Sequence, residues 1–297
     1  MPYRLHAALA LSLLAGCATQ QMQPVADFGA AANKLATDYK PFATGLATSC
    51  EERQRYMAVG NAGAFDAAAA EREAASLCGP LKQAGVTAAL FGQALAEYAS
   101  ALAKASGAKP TIFDSELRDV GSAAGKLVMR DDTPLFNSTK LSAATKIART
   151  AAELLMEGRL QQLTRATLED NQESLRVVVE AMKTYAGEVY AGQLADTHDI
   201  MAGELGRLVA ASNAPTQADV DARLPWRHAQ TATRADIAAN ELETRRVRAF
   251  AKTADALVAA HAALIANFDK INGVKRLQLV AAFVAQVQAL NDDAAAL

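Results

Sequence analysis

Three cysteines give this 297-residue chain its most specific chemistry. Cys17 follows the apolar run Ala7 to Leu14 and two small residues, with Arg4 upstream. A basic start, a short apolar run and small residues before a cleavage point are typical of a secretory signal. This run of eight residues is too short to span a bilayer, which needs about 20 residues. We therefore expect residues 1–16 to be a signal peptide that is removed.

The stretch Leu14-Ala15-Gly16-Cys17 resembles the lipobox of bacterial lipoproteins, and the resemblance covers residues 1–17. It implies that the sulfur of Cys17 carries a diacylglyceryl group and that its freed amine is commonly acylated too. Since one acyl chain holds a protein only marginally and two hold it stably, the resemblance implies a membrane anchor. An ordinary cleaved signal followed by a free Cys17 is the alternative.

Ala18 follows the cysteine, at the place where an Asp usually retains Gram-negative lipoproteins in the inner membrane. The absence of Asp implies an outer-membrane anchor facing the periplasm, if the source is Gram-negative. We expect residues 17–23 to form a lipidated tether that reaches at most roughly 25 Å. The helical bundle domain, residues 24–297, should therefore sit near the lipid surface.

Cys50 and Cys78 are the cysteines that remain once Cys17 is modified. An exported protein enters an oxidising compartment, where paired cysteines form disulfides. The best turn signal between them, Gly60-Asn61-Ala62-Gly63, lies close to their midpoint. A helical hairpin that reverses there would bring both sulfurs to the same height. We predict a Cys50–Cys78 disulfide, with two separate buried thiols as the alternative.

The serine and histidine residues do not form a known catalytic or metal-binding pattern. Ser106-Gly107-Ala108-Lys109 matches the S-x-x-K pattern of serine penicillin-binding enzymes, but the serine is expected to close a helix, and neither S-D-N nor K-T-G occurs. After loss of the signal, His198, His228 and His261 remain, without a second histidine three or four residues away. We predict no catalytic residue, no metal site and no cofactor, since a metal needs convergent ligands.

Two of these histidines, His198 and His228, are expected at the surface. His261 differs because it occupies a position on the apolar face of a long predicted helix. A histidine between helices can act as a pH-sensitive contact. A core-edge histidine that is hydrogen-bonded to a neighbour is the other interpretation.

The only tryptophan, Trp226, precedes Arg227 within an arginine-rich segment. Exposed Trp and Arg often anchor interfaces, so Trp226 and Arg227 are the candidate partner surface. The alternative is a solvated face whose charges compensate one another, because acids interleave with the arginines. The segment contains the cations Arg223, Arg227, Arg234, Arg245, Arg246 and Arg248 and the acids Asp221, Asp236, Glu241 and Glu243.

Composition and periodicity predict an all-α fold to position these groups. Roughly a quarter of the residues are alanine and aromatics make up 5%, which favours helices that pack closely around a thin core. We expect an elongated up-and-down bundle of about seven helices, with one hairpin clipped by the disulfide. Helical seams at three- and four-residue spacing run through Leu81, Ala84, Ala88, Phe91, Leu95, Tyr98 and Leu102, through Leu175, Val178, Met182, Tyr185 and Val189, and through Phe250, Ala254, Leu257, His261, Leu264 and Phe268.

Four interruptions of these helices are expected from local sequence. Pro41 should kink or divide the first helix, and Gly79-Pro80 should break the second. The apolar pattern lapses around Glu169-Asp170-Asn171, which predicts a reversal near residue 170. Leu224-Pro225-Trp226 predicts a further irregularity.

Charge narrows the classes of function. The chain has 30 basic and 32 acidic residues, whereas nucleic-acid binding needs clustered cations. We therefore expect no nucleic-acid partner.

We expect a membrane-anchored, non-enzymatic protein that binds a protein partner as a scaffold or adaptor, and no small-molecule ligand. An immunity or inhibitor lipoprotein against a toxic hydrolase is one alternative. A cell-wall-acting enzyme is another, although one Trp and six Tyr offer few stacking surfaces for sugars.

Overall fold

The computed structural model describes residues 23–60, 65–106, 135–156, 165–212, 220–269 and 277–295. Within these ranges the regular elements are helices, which confirms the all-α bundle of about seven helices. Residues 1–22, with Cys17 and most of the tether, lie outside the described residues, as do the predicted turn at 61–63 and Lys109. The helices are α1 (Gln23–Val59), α2 (Ala67–Ala105), α3 (Ser138–Met156), α4 (Arg165–Thr184), α5 (Ala191–Ser212), α6 (Val220–Asn267) and α7 (Gln278–Ala295).

The α1–α2 hairpin is held by its seam and by a disulfide. The predicted α2 seam is buried from Ala84 to Leu102. Cys50 and Cys78 are bonded, with their Cα atoms 5.8 Å apart, which confirms the predicted bridge. Asp66 caps the start of α2, because its side chain accepts a hydrogen bond from the backbone N–H of Ala69.

Small residues let α1 and α2 approach closely. A Cβ atom at Gly29 would lie 2.6 Å from the Ala99 carbonyl oxygen, and one at Gly92 would lie 2.9 Å from the Tyr39 ring. Glycine is required at these crossings because any side chain would push the helices apart. The alanine-rich composition therefore produces a thin, close-packed interface, as expected.

The helices continue through three prolines, contrary to the break predicted at Gly79-Pro80. α6 also continues through Leu224-Pro225-Trp226, where an irregularity is predicted. Pro41 likewise lies inside the single helix α1, so that helix is not divided in two. All three prolines lie on exposed faces. The carbonyl that each one leaves without its helical partner can therefore bond to water, which lowers the cost of an internal proline.

The reversal predicted near residue 170 is also wrong. α3 ends at Met156 and α4 begins at Arg165, so Asn171 lies inside α4. Asn171 interrupts the apolar pattern but is buried, because its amide donates to the Thr167 carbonyl oxygen at 2.8 Å and accepts from Thr150 on α3 at 3.1 Å. Because both ends of its side-chain amide are hydrogen-bonded, Asn171 can occupy a core position inside the helix.

α4 and α5 form one uninterrupted helix, joined by the π-helical segment Tyr185–Tyr190. α4 packs against α2, α3 and α6, whereas α5 packs against α1 and α6. α7 covers α1 and α6. The bundle thus has α1 and α6 near its centre, and the short helices α3 and α7 complete it on two sides.

Candidate functional site

Four helix termini meet at one end of the bundle, which we call the distal end. There the Tyr56 hydroxyl of α1 donates to Asp236 of α6 at 2.5 Å, and Arg207 of α5 donates to the Gly60 carbonyl oxygen at 3.1 Å. Burial and the carboxylate of Asp236 raise the pKa of Tyr56 to about 12. Gln230 of α6 donates to Ser212 at the end of α5 at 2.7 Å.

α6 extends beyond α1 at the distal end. Asp236 lies level with Tyr56, and α1 ends only three residues later, at Val59. Trp226 lies ten residues before Asp236 along an antiparallel helix. At about 1.5 Å per residue, Trp226 is about 10 Å beyond the end of α1.

Trp226 belongs to the core-facing stripe of α6. The stripe repeats every seven residues, as in a coiled-coil seam. Its five following members are 1–6% exposed, whereas Trp226 is 45% exposed. The overhang explains this difference, because no α1 residue reaches the level of Trp226. The stripe consists of Trp226, Thr233, Asn240, Val247, Ala254 and His261.

Other large apolar side chains are exposed near the helix termini at this end. Leu224 is 44% exposed on α6, Met57 and Val59 are 41% and 51% exposed on the last turn of α1, and Phe65 is 58% exposed just before α2. Apolar exposure that recurs at one end of a bundle is typical of interaction surfaces. The structure thus adds four exposed apolar residues to Trp226 that the sequence analysis missed, and the partner surface stays a prediction.

Charged residues of the arginine-rich segment lie on two different faces of α6, one directed at the bundle and one exposed. Glu243 pairs with Arg246 at 2.8 Å, and the Arg246 guanidinium lies 5.7 Å from the centre of the Phe42 ring. Asp236 binds Tyr56. Asp236 and Glu243 are therefore used inside or at the edge of the bundle, whereas Glu241 and Arg227 are exposed. The side chains of Asp221 and Arg223 lie outside the described residues.

His261 is a core histidine at the opposite end of α6 from Trp226. It is 1% exposed, and its Nε2 lies 2.9 Å from the Tyr98 hydroxyl. Its Nδ1 is buried without a hydrogen-bond partner, and the Phe28 ring centroid is 5.6 Å away. Burial lowers the pKa of His261 to about 4. The hydrogen-bonded interpretation therefore describes this residue better than a pH-sensitive contact near neutral pH.

The remaining chemical candidates are dispersed. Ser106 ends α2 as predicted, with its hydroxyl donating to the Ala103 carbonyl oxygen at 2.6 Å. His228 is exposed, and the half-exposed His198 lies 3.7 Å from Glu241. Within the described ranges no cluster of three His, Cys, Asp or Glu side chains could hold a metal ion.

Among the residues that the structure describes, one helix is long and apolar enough to cross a membrane by length and composition, over Leu224–Asn267. Its most apolar window has a mean hydropathy of 1.3, and 44% of that window is buried in the bundle. A core helix of a bundle meets the same criteria, and the buried stripe ending at His261 gives α6 that role.

Comparison with known proteins leaves the chain without an assigned relative: no family model, curated protein or solved structure matches it.

Proposed function

We propose that this chain is a non-enzymatic, membrane-anchored envelope lipoprotein that holds a protein-docking surface away from the membrane. The anchor is Cys17, in the lipobox-like stretch Leu14-Ala15-Gly16-Cys17. In a Gram-negative cell the bundle faces the periplasm from the outer membrane, because Ala18 replaces the Asp of inner-membrane retention. The docking surface centres on Trp226 and Arg227.

The observation that carries the proposal is the position of Trp226 relative to the start of α1. Gln23 begins α1 six residues after Cys17, so the anchor is attached near this start. α1 has 37 residues, which span about 55 Å, and Trp226 lies beyond its far end. Trp226 continues the core-facing stripe of α6 beyond the point where α1 covers it, and an exposed Trp of this kind is suited to binding a protein.

Two measurements test the proposal. Radiolabelled palmitate should enter the wild-type chain and not Cys17→Ser, and both should be compared after membrane fractionation. Palmitate on both chains, or wild-type protein recovered unlipidated from the cytosol, would reject the anchor.

A photo-crosslinking amino acid at position 226 should give a defined partner adduct in intact cells. The same probe at Leu279 of α7, which is 53% exposed, is the matched control. The adduct should also form from a probe at Met57 and disappear from that position when Trp226→Ala and Arg227→Ala are combined. Equal adducts at positions 226 and 279 would reject the docking surface.

A further inference from the structure

The outer face of α6 carries a line of cations, which we call the basic stripe. Its members are exposed and are separated by 7, 11, 3 and 4 residues. These spacings place them on one face of the helix. The stripe extends over about 38 Å, at about 1.5 Å per residue. It consists of Arg227, Arg234, Arg245, Arg248 and Lys252.

The basic stripe is not neutralised by its own helix. Glu243 and Asp236 are held by Arg246 and Tyr56 respectively. Asp255, three residues after Lys252, is paired with Lys183 of α4. Glu241 interrupts the stripe and lies near His198 of α5. In the part of the chain that the structure describes, none of the five stripe cations forms an ion pair. The compensation expected from the interleaved sequence therefore does not extend to this face.

The surroundings of the stripe favour a narrow partner over a flat one. Exposed carboxylates, Asp196 and Asp199, lie on the neighbouring helix α5. On α7, which also packs against α6, the stretch Gln278–Leu290 has no charged residue. A plane of anionic headgroups that covered the stripe would also approach the α5 carboxylates and be repelled. A single helix about 10 Å wide can follow the stripe and avoid them.

We propose that the basic stripe binds an acidic amphipathic α-helix of the protein partner. That helix is about 25 residues long, to match the stripe, and its carboxylates recur every three to four positions. Its apolar side contacts Trp226 and Leu224, which flank Arg227 at the distal end of the stripe. This inference rests on the proposed function for the presence of a protein partner and adds the chemistry by which the partner is recognised.

The test uses the full-length lipidated chain in detergent and a defined probe. The probe is a labelled 25-residue helical peptide with glutamates every three to four positions, and its control carries glutamines instead. Binding is followed by peptide anisotropy and by the emission of Trp226, the only tryptophan. Arg234→Glu with Arg245→Glu is compared with Arg72→Glu and Lys82→Glu, which make the same charge change at exposed positions of α2.

We expect the stripe variant to weaken peptide binding by about tenfold or more, since two ion pairs are lost and repulsion is added. The α2 variant should bind within about twofold of wild type, and the glutamine peptide should not bind. Equal weakening by both variants would overturn the inference. So would stripe-dependent binding to phosphatidylglycerol vesicles that is tighter than peptide binding, or a stripe-dependent dimer of the chain.

The two proposals fail in different ways. Absence of the adduct at position 226 in cells, with stripe-dependent peptide binding intact, would reject the proposed function. A Trp226-dependent adduct that forms equally well in the stripe variant would reject only the acidic helix as the partner.

Discussion

Acidification should destabilise the folded chain through His261. Burial lowers the pKa of this histidine from 6.5 to about 4. Between these values the unfolded chain binds a proton that the folded chain does not, so the free energy of unfolding falls as pH falls. From pH 8 to pH 4.5 this difference removes about 2.5 kcal/mol of stability.

The geometry supports the cause of this shift. Protonation would add a charge beside Phe28 and the Tyr98 hydroxyl, while Nδ1 has no acceptor within the core. No carboxylate is among the contacts described for His261, so the charged form gains no compensation there.

The assay is urea unfolding, followed by circular dichroism at pH 8, 5.5 and 4.5. His261→Gln keeps a neutral group that can accept from Tyr98 and removes the titration. Its stability can be lower at every pH, but its loss between pH 8 and 4.5 should be about 2.5 kcal/mol smaller than in wild type. His198→Gln, at a half-exposed position, is the control for replacing a histidine outside the core. Parallel pH profiles for wild type and His261→Gln would refute the reasoning.

Two further predictions concern the α1–α2 hairpin. Combined Cys50→Ser and Cys78→Ser opens a 28-residue loop and should lower the free energy of unfolding by about 3.5 kcal/mol on the chain-entropy model; unchanged urea midpoints with and without the bridge would contradict this. Gly29→Ala should destabilise by about 1–3 kcal/mol, because its Cβ would lie 2.6 Å from the Ala99 oxygen and 2.8 Å from the Ala103 nitrogen. Gly203→Ala, where nothing lies within 4 Å, should stabilise by about 0.5–1 kcal/mol, so thermal melting of the two variants should shift in opposite directions.

The helical seams were predictable because burial follows the three- and four-residue spacing of apolar side chains. Phe91, Leu95 and Tyr98 are fully buried on α2, as are Leu257 and Leu264 on α6. The disulfide was predictable for a related reason, since an antiparallel hairpin fixes which residues share a level. These features depend on short-range periodicity that a single sequence contains.

The break at Gly79-Pro80 and the reversal near residue 170 were predicted wrongly because their outcome depends on tertiary context. Pro80 ends a helix unless the carbonyl it leaves unpaired faces water, and the sequence does not state which face is exposed. Asn171 resembles a loop residue unless a partner such as Thr150 satisfies its amide in the core.

The candidate site was predicted only in part, for a similar reason. Trp226 and Arg227 were evident from residue type, but the exposure of Met57 and Phe65 required knowing where α1 ends relative to α6. The seven-residue repeat that begins at Trp226 was the signal in the sequence that placed Trp226 on the core-facing side of α6. The separation of the arginine-rich segment into paired and unpaired charges could not be obtained from composition, because pairing depends on residues of other helices, such as Tyr56 and His198.

The π-helical segment Tyr185–Tyr190 has a consequence for how this chain changes neighbours. An extra residue in one turn rotates all later side chains by about 100° around the axis. The apolar face can therefore pack against α2 and α3 before the segment and against α1 after it. No loop is needed between the two halves of the helix. Deleting one residue within 185–190 would restore regular α-helical winding, yet it would turn Leu194 and Met201 out of the interior. The π-helical segment therefore keeps the apolar face of each half directed at the helices that it packs against.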